Sequence, residues 1–240
     1  MRNRAPLLQV ALDVISVESA FDLAARVAPF VDAIEAGTPL IKACGIDVVR
    51  ALKAQFPERI IVADMKTMDA GAVEAEMAVA AGADVVTVLG AADRITIAAA
   101  CDVAVREGKA VAVDVIAVTD LDAVVAKLHG LAISWLMVHA GLDRQAAGGS
   151  AIADLDRLGD IAAGVPPGVV GGLDTAAIRR VAVDRRVTLV VVGAAITAGD
   201  DTGGPRRHCL AEYLRGGDAY RGTSGAYASL RSFAGTACPA

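Results

Sequence analysis

Ile60-Ile61-Val62-Ala63-Asp64-Met65-Lys66-Thr67-Met68-Asp69-Ala70-Gly71 is the stretch that decides how this chain folds and where its chemistry lies. Ile60, Ile61 and Val62 are β-branched and apolar, so the segment reads as a buried strand that ends in charge. Residues two apart on a strand point to the same side, which should turn Asp64 and Lys66 toward one space. Asp69 falls just beyond, in a loop or at the start of a helix that it could N-cap. Burying such charges is costly unless they pair or bind something charged. An Asp-x-Lys-x-x-Asp motif at the mouth of a hydrophobic strand therefore marks a polar site.

Similar runs recur on either side: Leu7–Val14, Ala33–Gly37, Val85–Gly90, Ala110–Ile116, Trp135–Gly141, Gly168–Leu173 and Leu189–Ile196. The first six strands begin roughly 25 residues apart, about the length of a minimal strand-helix unit. Helical periodicity fills the gaps, as in Val17–Ala28, where Val17, Ala20, Phe21, Ala24, Ala25 and Ala28 recur on one face. Residues 40–54, 71–81, 94–106 and 174–183 also read as helices. This alternation, unbroken by a linker, predicts an α/β protein: a single (β/α)8 TIM barrel over 1–215, followed by a non-barrel tail over 216–240. A doubly wound sheet would call for a Gly-rich loop after the first strand, and Asp13-Val14-Ile15-Ser16-Val17 is not one.

Strand parity points the same way. Gln9, Ala11 and Asp13 share one face of the first strand, against Leu8, Val10 and Leu12. Ala110, Ala112 and Asp114 oppose Val111, Val113 and Val115, and Met137 and His139 oppose Leu136 and Val138. The bulky aliphatics should face the helices, leaving a polar residue to end each inward row at the C-terminal rim, where barrel active sites are built.

The chain has 240 residues, 55% of them hydrophobic, which is enough for a substantial core. Its net charge of −5, with scattered Lys and Arg, gives no footprint for nucleic acid or an anionic membrane. Cys44, Cys101, Cys209 and Cys238 lack C-x-x-C spacing, as expected of free thiols in a reducing cytosol. Gln9 and Asp13 interrupt the apolar start, which argues against a signal peptide, and Val187–Ala198 is too short to span a bilayer. The expected location is cytoplasmic.

Five strands end in polar residues: Asp13, Glu35, Asp64 with Lys66, Asp114 and His139. Four acids around a lysine should recruit a divalent cation, and hard oxygen donors favour Mg²⁺, with Mn²⁺ as a substitute, over Zn²⁺. His139 is the one histidine at a strand end, suited to moving protons near neutral pH; His129 and His208 read as surface residues. The last two strands end in Gly171-Gly172 and Gly193-Ala194, whose backbone amides are placed to hold a phosphate.

Several ordered motifs now stand together: Gln9-Val10-Ala11-Leu12-Asp13, Ile34-Glu35-Ala36-Gly37-Thr38-Pro39-Leu40-Ile41-Lys42, the segment from Ala63 to Gly71, Asp84-Val85-Val86-Thr87-Val88-Leu89-Gly90 and His139-Ala140-Gly141-Leu142-Asp143-Arg144-Gln145-Ala146. In these, the chain from Leu7 to about Thr197 closely resembles the 3-hexulose-6-phosphate synthases, members of the orotidine-monophosphate-decarboxylase-like group of barrels. The resemblance implies an aldolase joining formaldehyde to D-ribulose 5-phosphate through a 1,2-enediolate, with Mg²⁺ chelated by substrate oxygens. It implies Glu35 and Asp64 as metal ligands, Lys66 as the enediolate stabiliser, supported by Asp64 and Asp69, and His139 as the proton-transfer group. Asp13 and Asp114 would hold hydroxyls, and Gly171, Gly172, Gly193 and Ala194 would hold the phosphate. It further implies a homodimer with shared active sites, in which Asp69 reaches into the partner's site.

The nearest rival is 3-keto-L-gulonate-6-phosphate decarboxylase. Ala140, Gly141 and Leu142 stand where that family carries arginines, and Asp114 stands where it tends to have Glu; both favour the synthases. Cys44 replaces an expected acid and reads as a small buried helix residue. From about Gly216 the chain runs past the resemblance and holds Tyr220, Tyr227 and Phe233, with Tyr213 just before it.

Overall fold

All eight apolar runs form strands, which follow one another around a closed barrel in chain order. They are β1 (Leu7–Leu12), β2 (Ala33–Ala36), β3 (Ile60–Thr67), β4 (Val85–Leu89), β5 (Ala110–Asp114), β6 (Trp135–His139), β7 (Pro167–Val170) and β8 (Leu189–Val192). The computed structural model describes residues 6–161, 164–173 and 175–193. Ala194 and the tail over 216–240 lie outside these residues. Every strand pair is parallel, and β1 closes on β8 through the register Leu7↔Leu189 to Val10↔Val192.

The helices are α1 (Val17–Val27), α2 (Thr38–Cys44), α3 (Asp47–Gln55), α4 (Gly71–Ala80), α5 (Arg94–Arg106), α6 (Leu121–Leu128), α7 (Leu142–Ala146), α8 (Ile152–Ile161) and α9 (Thr175–Val183). Where the sequence suggests one helix over 40–54, the structure has two, because Gly45 ends α2 at φ +79°, a left-handed conformation that favours glycine. Cys44, just before this break, is half-buried rather than buried, with its thiol 3.7 Å from the Ile15 carbonyl. α6, α7 and α8 fall outside the helical runs visible in the sequence.

Two apolar layers follow from the alternation along the strands. Leu8, Val10 and Leu12 pack with Val111, Val113, Leu136, Val138 and the inner faces of the helices. Ala11, Ala110, Ala112, Trp135 and Met137 form a second cluster made of strand residues alone, the filling of the barrel. Full burial of each outward Leu or Val is worth about 1.5–3 kcal/mol, so a one-residue slip in register would be heavily penalised. The parity expected for the first, fifth and sixth strands is the one observed.

At the start of β4, away from the strand ends that carry the motif, Asp84 is buried but compensated. It accepts from Lys53 at 2.8 Å, Lys109 at 2.9 Å and the Ile61 N–H at 3.0 Å. Burial alone would raise its pKa, but these donors hold it below the usual value. A buried carboxylate in this barrel is thus stable where cations meet it.

Candidate active site

The C-terminal ends of the strands surround an open cavity of about 980 Å³. Asp13, Glu35, Asp64, Lys66 and His139 line it, as do Gly171, Gly172 and Gly193.

The motif that opens the site is held by a break in the sheet. Val62 and Ala63 pair with Val85 and Val86, but Thr67 pairs with Val88, so residues 64–66 bulge opposite Thr87 alone. Lys66 sits there at φ +46°, a strained conformation for a residue with a side chain. Simple alternation predicts that Asp64 and Lys66 meet; they do, but through this bulge. Thr87, fully buried, accepts the Lys66 N–H at 3.0 Å and donates to Asp64 Oδ1 at 2.7 Å, tying the bulge to its carboxylate. Thr38 Oγ1 lies 2.7 Å from Asp64 Oδ2 and 2.8 Å from its carbonyl.

Lys66 Nζ lies 2.7 Å and 3.0 Å from the Asp64 oxygens and 3.1 Å from Asp114 Oδ2. Burial disfavours its ammonium, but the fields of Asp64 and Asp114 outweigh that and raise its pKa. Asp114 Oδ2 also lies 2.7 Å from His139 Nδ1, and Oδ1 accepts the Ile116 N–H at 2.9 Å. Burial opposes ionisation of Asp114, yet His139, Lys66 and that amide hold its pKa low. An ionised Asp114 can only accept, so Nδ1 of His139 carries the hydrogen and Nε2 is left as the basic nitrogen. Asp114, expected to hold a substrate hydroxyl, is fully buried behind the cavity lining, with Oδ2 between Lys66 and His139.

Glu35 is the opposite of Asp84. It is buried in the cavity wall, and among the described residues Oε2 accepts only the Gln9 amide, at 2.7 Å. Desolvation first, then repulsion from Asp64 and Asp13, raises its pKa well above the usual value, despite Lys66 and Gln9. Asp13 is open to solvent through the cavity but walled by protein; that desolvation and the Asp64 charge raise its pKa, against Lys66 and His139. The expected ring of four acids is not a single cluster: among the described residues no group of three or more Asp, Glu, His or Cys side chains converges as a metal site. A divalent cation nevertheless fits the donors present. Glu35 offers a hard oxygen that, among the described residues, no cation bonds directly, whereas all four lone-pair positions of Asp64 face Lys66, Thr38 and Thr87. Asp64 would ligate only by releasing one of these donors.

Gly171 (φ +84°) and Gly172 (φ +64°) lie consecutively in the left-handed region. A Cβ on Gly171 would collide with the Ala140 carbonyl, so only glycine lets the β7 loop approach β6 this closely. Asp69 is exposed and away from its own cavity, with Oδ1 accepting the Ala70 N–H at 2.7 Å. It does not cap α4, whose cap position is Ala70 at φ +54°. His129 is exposed at the end of α6. Thr38 and Thr87 are not among the residues that the sequence marks for the site. Thr87 had a signal, as the one polar residue of the valine-rich segment Val85–Val88, on the inward parity.

A closed (β/α)8 barrel with a lysine between buried carboxylates and an oriented histidine defines an enzyme, and its named relatives make it a carbon–carbon lyase. The family model "Orotidine 5'-phosphate decarboxylase / HUMPS family" matches residues 6–204. The chain belongs to that family. The 3-hexulose-6-phosphate synthase of Mycobacterium gastri is 45% identical over 193 residues, which is 80% of this chain and 93% of the relative. The crystal structure of the 3-hexulose-6-phosphate synthase of Salmonella typhimurium is similar at a TM-score of 0.82 and 36% identity, covering 88% of this chain and 99% of that one. That of the 3-keto-L-gulonate-6-phosphate decarboxylase of Vibrio cholerae matches at a TM-score of 0.78 and 30% identity, covering 91% and 100%.

Proposed function

We propose that the chain condenses formaldehyde with D-ribulose 5-phosphate to give D-arabino-hex-3-ulose 6-phosphate through a 1,2-enediolate. The observation that carries this reading is one carboxylate, Asp114, buried behind the cavity and bridging the proton-transfer group His139 and the cationic Lys66. The identity to synthases supports the same assignment, at 36% for the Salmonella typhimurium structure against 30% for the Vibrio cholerae decarboxylase, and so do Ala140, Gly141 and Leu142, which supply no arginine after His139.

The phosphate docks against the backbone of Gly171, Gly172 and Gly193, with Ala194 next in the chain, which sets the sugar's other end toward β3 and β6. Asp13, at the rim, accepts from a substrate hydroxyl. His139 Nε2 removes a proton from C1, and the imidazolium that forms is stabilised by Asp114 on the other nitrogen. Lys66, already aligned by Asp64 and Asp114, stabilises the charge that develops on the substrate oxygen without reorganising at that moment. C1 then attacks formaldehyde and the new alkoxide recovers the proton. Mg²⁺ or Mn²⁺ would be held by Glu35 and Asp64 and, when bound, supplies Lewis-acid polarisation of substrate oxygens. The assay that decides this is formaldehyde consumption with ribulose 5-phosphate; no consumption in the presence of Mg²⁺ would reject the reading.

Wild type incubated with ribulose 5-phosphate in deuterated water, without formaldehyde, exchanges a C1 hydrogen. His139→Ala and His139→Asn suppress that exchange while metal binding persists. Exchange at the wild-type rate in either variant, read by NMR, moves the base role to another residue.

The chain acts as a homodimer with shared sites on this reading. Asp69 is exposed and outside the lining of its own cavity, and Met68 beside it, Val73 and Met77 on α4, and Ile95 on α5 are large, apolar and exposed. A two-fold interface would bury this patch on both copies and bring each Asp69 to the partner's site. Mixing inactive Asp69→Ala with inactive Lys66→Ala protein then restores one complete site per heterodimer and some activity. No recovery despite demonstrated subunit exchange removes Asp69 from the partner's site.

A further inference from the structure

His139 has cavity on two sides. Beyond it, between the loop after β5 and the helices α7 and α8, lies a second cavity of about 580 Å³. The two share His139, Ile116, Gly141 and Leu142 as walls. Ile116 fills the gap tightly, since a Cβ added to Gly141 would lie 2.8 Å from its Cδ1. Its backbone is pinned on both sides: its N–H donates to Asp114 Oδ1 at 2.9 Å, and the next residue, Ala117, is held at φ +59°. The carboxylate that orients His139 therefore also aims Ile116. Val115, Val118 and Leu121 give the second cavity an apolar part, and another part of its lining is charged, with Asp143, Arg157 and the paired Arg144 and Asp154.

We propose that Ile116 is the side chain that restricts the acceptor aldehyde, and that the cavity behind it is a subsite for the substituent of a short aliphatic aldehyde. This rests on the aldol reading given above. The carbon that loses its proton to His139 is the carbon that attacks the acceptor, so the acceptor must lie within bonding reach of an atom touching His139. The phosphate end of the sugar occupies the β7 and β8 side. A substituent that leaves that side past His139 meets Ile116, which lies on the β5 side of the histidine and walls both cavities. Formaldehyde has no substituent and meets no obstruction; a longer aldehyde runs into Ile116. The chemistry is unchanged in either case. C1 bonds to the carbonyl carbon, the carbonyl π pair becomes an alkoxide, and the alkoxide takes the proton that left C1.

The test compares kcat/KM for propanal with kcat/KM for formaldehyde in the wild type, Ile116→Val, Ile116→Ala and Ile116→Ala/Thr119→Phe. Thr119 lines the far cavity from an exposed position, so the phenyl ring refills the space behind Ile116. The ratio rises about tenfold or more in Ile116→Ala, the scale on which a pocket discriminates methylene groups. It rises less in Ile116→Val, which carries the test if the alanine variant does not fold, and returns toward wild type in the double variant. An unchanged ratio in variants that still use formaldehyde overturns the role of Ile116. A gain that survives Thr119→Phe overturns the subsite. A wild type that consumes no formaldehyde overturns the aldol reading itself, and this inference with it.

Discussion

Lys66→Ala lowers turnover by at least about two orders of magnitude, the loss expected when one preorganised stabiliser of developing charge is removed. Three features of the site make the effect large. Nζ is aligned by Asp64 and Asp114 before substrate arrives, its ammonium is held charged by them, and the bulge at residues 64–66 fixes its backbone through Thr87. The same geometry predicts a cost in stability, because the truncation leaves Asp64 and Asp114 buried without their shared cation. Turnover is therefore measured on folded protein, checked by circular dichroism, alongside a thermal melt. A lowered Tm with nearly normal turnover would make Lys66 a structural counter-ion and leave the charge on the substrate to another group.

Exhaustive chelation abolishes activity, and Mg²⁺ or Mn²⁺ restores it, because a lost Lewis acid costs several kcal/mol at the transition state. The case for the cation within this chain is Glu35, whose burial raises its pKa with no positive partner beyond the reach of Lys66. The sign of the pH dependence follows. As pH falls toward the raised pKa, Glu35 takes up a proton, and cation affinity weakens, since only the carboxylate ligates. In cation-free protein the linkage runs the other way. An acid whose folded pKa lies above its unfolded value costs stability once pH exceeds the unfolded value, and the cost is complete above the folded pKa. Glu35→Gln thus raises the cation concentration needed for activity, and at the same time raises the Tm of cation-free protein at neutral pH but not near pH 4. Asp64→Asn acts in the same direction on the cation, but it also disturbs Lys66. Full activity after complete metal removal would exclude this part of the mechanism. A Glu35→Gln variant with unchanged cation dependence would shift the ligand role to other oxygens.

Much of the barrel is legible because its strands obey a strict alternation. Val10 and Leu12 against Ala11, or Val111 and Val113 against Ala112, can satisfy both an outer helical layer and an inner filled barrel only in one parity. Polar residues ending the inward rows at Asp13, Glu35, Asp64 and His139 mark the rim for the same reason, and all four line the cavity. The helices are less legible where single residues set their limits. Gly45 splits one periodic run in two, and α6 and α7 are short, with eight and five residues, so their patterns are weak against the surrounding loops.

The sequence by itself determined the class of fold, the order of the strands and the identity of the charged residues at their ends, because these depend on local alternation and on the cost of burying charge. Tertiary structure alone decided what each charge does. Asp114, Lys66 and His139 come from β5, β3 and β6, and only closure of the barrel puts one oxygen of Asp114 between the other two. That closure also leaves Glu35 without the cations that compensate Asp84, and leaves Asp69 exposed outside the cavity lining. Side chains more than twenty residues apart share a hydrogen bond only through three-dimensional packing, and the strength of a buried charge depends on which neighbours that packing supplies.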